Sequence, residues 1–296
     1  MSKLYVLAIA VAIAFLAFFR TFNTEETREE KDDVTTQELP TTSNPGKQNE
    51  KKNNQQPTTN NQQQGIRYEI PRMNGEDQGM IIEHVGHTLA YNKAYNTPYW
   101  AAWQLTKDHT DGTVNRSKKF WVDPAVEQAY RVEWYEYKES GYDRGHMCPA
   151  GDMKWSEAAM HDCFYMTNMC PQSPSLNSGA WRKLETKCRN WANEEGRIYI
   201  VCGPIYDKGK RHEEIGIDHR IMVPERFFKA VLSLNKGKEW AIAFVYENTD
   251  RSQSMKKAVK TVDEVEEMID MDLFYQLDDE LEDEIESRIQ STVLRL

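Results

Sequence analysis

Apolar and polar positions divide the chain into three stretches. Leu4 to Phe19 is an unbroken apolar run of sixteen residues between Lys3 and Arg20. A bilayer-spanning helix takes roughly 17 to 25 residues and the core of a signal peptide about 7 to 15, so this run falls between the two. Small residues are missing where cleavage would need them, because Ala17 is followed by Phe18, Phe19 and Arg20. Residues 1–22 are therefore read as an uncleaved anchor, with a cleaved signal peptide as the alternative. From Thr24 to Gly65 the pattern reverses: Val34 and Leu39 are the only large apolar residues. Such a stretch cannot bury enough surface to offset its ordering entropy, so residues 23–66 are read as a disordered polar linker. Residues 67–296 then alternate between strand and helix periodicities and read as one domain. Strands are predicted at His87–Tyr91, Tyr99–Leu105, Tyr130–Tyr137, Arg197–Cys202, Phe227–Leu234 and Trp240–Tyr246. Trp181, Leu184, Cys188 and Trp191 recur at three- and four-residue steps, which predicts a helix over Ser178–Glu195 stopped by Gly196. A second helix is predicted from near Thr261, with Val262, Val265 and Ile269 as its stripe, and a short third from Asp278.

Composition sharpens this picture. All eight Trp lie between Trp100 and Trp240, so apolar mass is concentrated in the third stretch. The formal charge of −10 would oppose a polyanionic partner if spread evenly, but thirteen Asp and Glu fall between Asp263 and Glu286 with no Lys or Arg, leaving +3 for the rest. Charge therefore neither excludes nor supports a nucleic-acid substrate, and the acidic segment is expected to face away from one. The apolar run places the domain outside the cytoplasm, membrane-anchored through residues 4–19 or, if cleaved, periplasmic or secreted. Export permits disulfides, but five cysteines leave at least one thiol unpaired within a monomer.

Chemistry concentrates between Tyr142 and Glu185. Asp143-Arg144-Gly145-His146 puts four residues suited to a phosphate site side by side. Histidine titrates near neutrality, so His146 is a candidate general base; Arg144 offers a planar fork to phosphate oxygens; Gly145 leaves room for backbone to approach a ligand. Asn177, just before the predicted helix, reads first as its cap on spacing alone. The other reading is a ligand: Glu185 lies eight positions on, and a hard cation such as Mg²⁺ takes one amide oxygen from Asn177 while Glu185 holds a metal-bound water. His84 and His87 are separated partly by glycine, and His146-Met-Cys148 and His161-Asp-Cys163 lack a matching second pair, so no zinc site is assigned to them.

The tetrad followed by Asn168, Pro171, Gln172, Leu176, Asn177, Trp181, Leu184 and Glu185 resembles the DNA/RNA nonspecific endonucleases, a family with secreted and mitochondrial members. The similarity runs from roughly Tyr91 to Leu281 and takes in Asp123-Pro124, Val201 to Tyr206 and Thr261 to Glu266. The resemblance implies an α+β, ββα-metal nuclease fold, with an antiparallel sheet core and flanking helices. It implies His146 on a strand activating water, Asn177 and Glu185 at the crossing helix, and one Mg²⁺ or Mn²⁺. DNA and RNA would be cut to 5′-phosphate ends. Family members often carry a second arginine shortly before Asp-Pro. Here Arg116, Lys118 and Lys119 precede it, and Lys118 is taken with Arg144 and Arg182 as substrate-binding. Two other classes share these residues: a noncatalytic nucleic-acid-binding relative, whose mark would be a lost base or metal ligand, and a phosphodiesterase acting on nucleotide-type substrates.

Overall fold

The computed structural model describes residues 65–290 and 293. The apolar run 4–19 and nearly all of the linker lie outside the described residues. Among those described, no helix is long and apolar enough to cross a membrane.

Among the described residues thirteen strands follow in chain order: β1 (Arg72–Met73), β2 (Met80–Glu83), β3 (Thr88–Asn92), β4 (Thr97–Thr106), β5 (Asp143–His146), β6 (Met169–Gln172), β7 (Arg197–Ile205), β8 (Glu214–Ile215), β9 (Ile221–Met222), β10 (Arg226–Ser233), β11 (Trp240–Glu247), β12 (Val259–Lys260) and β13 (Met271–Asp272). Seven form one sheet in the order β12-β11-β10-β7-β4-β3-β2, with every neighbouring pair antiparallel. Side chains alternate across a strand, and both faces of this sheet are covered, so its central strands are apolar nearly throughout. On β7, Ile198, Ile200 and Cys202 pack with Trp181, Leu184 and Cys188 of the long helix segment. Tyr199 and Val201 face the other way, toward Val262, Val265, Leu277 and Ile285. The acidic helices Val262–Ile269 and Asp279–Glu286 thus cover the sheet face opposite the long helix Arg182–Glu195.

The strand expected over Tyr130–Tyr137 is corrected to two 3₁₀ turns, Gln128–Tyr130 and Trp134–Tyr137. A half-buried strand would put Glu136 on the wet face, yet Glu136 is 1% exposed. Its carboxylate accepts the backbone N–H groups of Ile217, Asp218 and His219, and the imidazole of His219 at 2.9 Å. Burial alone would raise its pKa, but these donors outweigh burial and hold it below the usual carboxylate value. An anchored acid, which pattern reading treats as solvent-facing, therefore shapes this segment.

All five cysteines are free and buried. Burial pushes their thiols up, Cys202 to about 11 and Cys163 and Cys188 to about 12, so they are inert packing groups.

Candidate active site

The site is assembled on the pair β5–β6 and the segment that follows β6. The antiparallel register sets Asp143 opposite Gln172, Gly145 opposite Cys170 and His146 opposite Met169. A Cβ on Gly145 would stand 2.6 Å from the Cβ of Gln172. Glycine is needed here for close packing against the partner strand. Asn168 braces the chain between these strands: its amide donates to the carbonyls of Cys148 (2.9 Å) and Cys163 (2.8 Å) and accepts from the Cys148 N–H. Asp123 is likewise structural, taking the Thr167 hydroxyl at 2.6 Å, the Ala125 N–H at 2.9 Å and the His84 ring at 3.0 Å.

The helix does not begin at Ser178. Leu176–Trp181 is a wide π-type turn broken at Gly179 (φ −106°, ψ −105°), and the regular α-helix runs Arg182–Glu195. Wide turns of this kind recur at functional sites because they turn successive side chains off the regular helical phase. The cap reading of Asn177 is therefore corrected. Asn177 lies inside the turn, with its N–H bonded to the Ser173 carbonyl at 2.9 Å. Its side-chain nitrogen donates to Asp143 Oδ2 at 2.9 Å. A carboxylate only accepts, so the amide nitrogen must face Asp143, and the amide oxygen is the atom available to a cation. The Trp181 indole N–H reaches the His146 carbonyl at 3.4 Å, tying the turn to β5.

These elements enclose a cavity of about 220 Å³ whose walls include Arg116, Arg144, His146, Asn177, Arg182 and Glu185. His146 is 7% exposed, and its Nε2 has no hydrogen-bond partner. The ring meets the edge of Phe164 at 4.7 Å between centroids. Burial, then the nearby Arg116 and Arg144 charges, depress its pKa to about 3. The imidazole is thus neutral at neutral pH, with an open acceptor or donor nitrogen. Burial raises Glu185 to about 7 against the pull of Lys229. Arg144 lies over the Phe120 ring at 4.5 Å and donates to the Trp134 carbonyl at 3.0 Å, while Arg116 lies over Phe164 at 5.0 Å.

Of the six residues singled out from sequence, the structure brings His146, Arg144, Asn177, Glu185 and Arg182 together. Lys118 is exposed and is not among the residues of the cavity wall, where Arg116 stands. Arg116 places a second planar guanidinium in that wall, beside Arg144. From sequence alone Asp143 has no role of its own and Lys229 does not stand out. Asp143 fixes the Asn177 amide. Lys229, 1% exposed, lies 4.5 Å from the Trp181 ring and 4.8 Å from that of Trp103, beneath the helix that carries Glu185. A lysine inside an apolar strand gives no sequence signal of that position. A charged hydrogen bond is worth roughly 1.5 to 3 kcal/mol, about 10- to 100-fold. We expect Arg116→Ala to lower kcat/KM for nucleic acid by that factor and Lys118→Ala by less than about threefold. Equal losses in steady-state assays would reject the assignment.

An imidazole on a strand pair, a half-buried amide and carboxyl from the turn and helix that follow, and three guanidinium groups around one cavity match the ββα-metal class of nuclease. The family model for DNA/RNA non-specific endonuclease matches residues 67–280, and the chain belongs to that family. It is 32% identical over 210 residues to the mitochondrial nuclease EXOG of Xenopus laevis, covering 66% of this chain and 58% of that protein. It is 34% identical over 155 residues to mitochondrial endonuclease G of Bos taurus, covering 49% and 52%. It is also similar to the mitochondrial nuclease of Saccharomyces cerevisiae, 35% identical over 155 residues, covering 48% and 47%. The chain thus spans about half the length of these curated relatives. A crystal structure of an EndoG/EndoGI complex, described as showing the mechanism of EndoG inhibition, superposes with a TM-score of 0.64 at 27% identity, covering 68% of this chain and 88% of that one.

These relatives overturn the expectation of an exported domain, whether membrane-anchored through residues 4–19, periplasmic or secreted, since they are named as mitochondrial nucleases. The reason is physical: the length of an apolar run measures its affinity for a nonpolar phase, not which compartment receives the chain.

Proposed function

We propose that the chain is an endonuclease hydrolysing phosphodiester bonds of DNA and RNA without sequence preference, leaving 5′-phosphate ends, with His146 as general base. The observation that carries this reading is the buried, neutral, unpartnered Nε2 of His146 in a cavity walled by three arginines. Hydrolysis needs a proton acceptor near the attacking water and positive charge on the phosphate oxygens. His146 takes the proton at Nε2, and its rise from imidazole to imidazolium is tolerated once a phosphate offsets the surrounding charge. Arg116 and Arg144, whose guanidinium groups lie over the Phe164 and Phe120 rings, hold the nonbridging oxygens.

Asn177 and Glu185 are the residues that would hold one Mg²⁺ or Mn²⁺. The donor set fits a hard cation: an amide oxygen left available by Asp143, and a half-buried carboxyl that a nearby cation would return to its ionised form. When bound, such an ion supplies charge neutralisation at the phosphate and at the departing 3′ oxygen. Asp143 orients the amide, and Glu185 accepts hydrogen bonds from water in the cavity.

Incubating the full chain with plasmid, linear DNA, RNA and a nucleotide diester, in Mg²⁺ and in EDTA, tests the reading. Cleavage of both polymers only with metal, leaving ends that ligase joins without prior phosphorylation, is the expected result. Turnover of the small diester alone would replace the proposal with the nucleotide phosphodiesterase reading.

A further inference from the structure

The acidic C-terminal helices lie on the sheet face away from the cavity and are not accounted for by cleavage. Asp263 and Glu266 stand three positions apart on Val262–Ile269, and therefore share a face. Glu286, in the last turn of Asp279–Glu286, comes against them, so that one oxygen from each of the three carboxyls lies within 4.8 Å of the others. Glu286 is 3% exposed, and its Oε1 has no hydrogen-bond partner. Glu266 gives one oxygen to the Leu273 N–H at 2.6 Å. The surroundings add negative charge from Glu282 and Asp272; the nearby Arg72 is itself paired with Asp272. Like charges crowd a buried, unsatisfied carboxyl, a combination that is costly unless a proton or a cation enters.

We propose that Asp263, Glu266 and Glu286 form a Ca²⁺ site, separate from the cleavage cavity, that fastens the C-terminal helix to its neighbour. Three carboxylates are an all-oxygen, anionic donor set, which selects a hard cation over zinc or copper. Ca²⁺–oxygen bonds of about 2.3 to 2.6 Å let ligands stand nearly 5 Å apart across the ion, whereas Mg²⁺ at about 2.0 to 2.1 Å requires them closer and keeps its waters. Waters and the second oxygens of Asp263 and Glu286 complete the shell. Bound calcium turns mutual repulsion between the two helices into a shared attachment.

Equilibrium dialysis of the full chain against CaCl₂, with thermal unfolding in calcium and in EDTA, tests the site. The wild type is expected to melt several degrees higher in calcium. Glu286→Gln should lose one bound equivalent and that rise, while cutting plasmid in Mg²⁺ within about threefold of wild type. Asn177→Ala, dialysed in parallel, should keep the equivalent that Glu286→Gln loses, which separates this site from the cavity. Asp263 is exposed, so Asp263→Asn provides a variant whose folding is not at risk, and its calcium affinity should fall at least about tenfold. Unchanged stoichiometry in both variants would overturn the proposal. So would a wild type whose melting ignores millimolar calcium while Glu286→Gln melts as high or higher in EDTA, the behaviour of a protonated carboxyl and not of a ligand.

Discussion

His146→Ala is expected to lower plasmid cleavage by about 10² to 10⁴-fold, the usual weight of general-base catalysis. The ring is buried and set against Phe164, so a modest fall in melting temperature accompanies the change, and rates should be compared at equal folded fraction by circular dichroism. A variant that still cuts within about threefold of wild type would remove His146 from the mechanism. The pH profile gives an independent reading. The competent form is neutral imidazole, present above the group's pKa and lost as pH falls through it. Because burial and the two arginines hold that pKa near 3, the acid limb of kcat/KM at saturating metal should lie below the ordinary histidine value of about 6.5. Arg116→Ala removes one of those charges and should move the limb upward.

Asn177→Ala is expected to reduce activity at least about 10²-fold at low Mg²⁺ and to recover part of it as Mg²⁺ is raised. Changing a residue that only supports a metal ligand typically costs 10- to 100-fold in metal affinity, and a direct ligand at least as much. Asp143→Ala should therefore show a milder form of the same defect, since Asp143 holds the Asn177 amide from behind. The decisive measurement is activity against metal concentration, with melting temperature in parallel. Because Asn177 does not cap the helix, stability should change little; loss of a cap would cost about 0.5 to 2 kcal/mol. Normal turnover at all metal concentrations, with a lowered melting temperature, would return Asn177 to a structural role.

Part of the site was legible in the motif residues and in the periodicity of the helix that follows them. His146 lies on a strand, as the family resemblance implied, and Leu184, Cys188 and Trp191 form the buried stripe that three- and four-residue spacing predicts. The strands at Thr88–Asn92, Thr97–Thr106, Arg197–Ile205, Arg226–Ser233 and Trp240–Glu247 follow from apolar runs that a sheet covered on both faces requires.

What the sequence determined by itself was local: which residues prefer strand or helix, where the charge lies, and which side chains have the chemistry to bind phosphate or accept a proton. These follow from bonded geometry and side-chain type within a few positions of one another. Tertiary structure decided the rest through contacts distant in sequence. It made Glu136 an internal acceptor for the backbone of residues 217–219, and so turned an alternating segment into 3₁₀ turns. It opened a wide turn at Leu176–Trp181 that frees Asn177 from capping and aims its nitrogen at Asp143. It also put Arg116, and not Lys118, in the cavity wall, and buried Lys229 between two indoles beneath Glu185. Burial and charge act through space, where residues far apart in the chain set each other's hydration and protonation, and no local pattern records that distance.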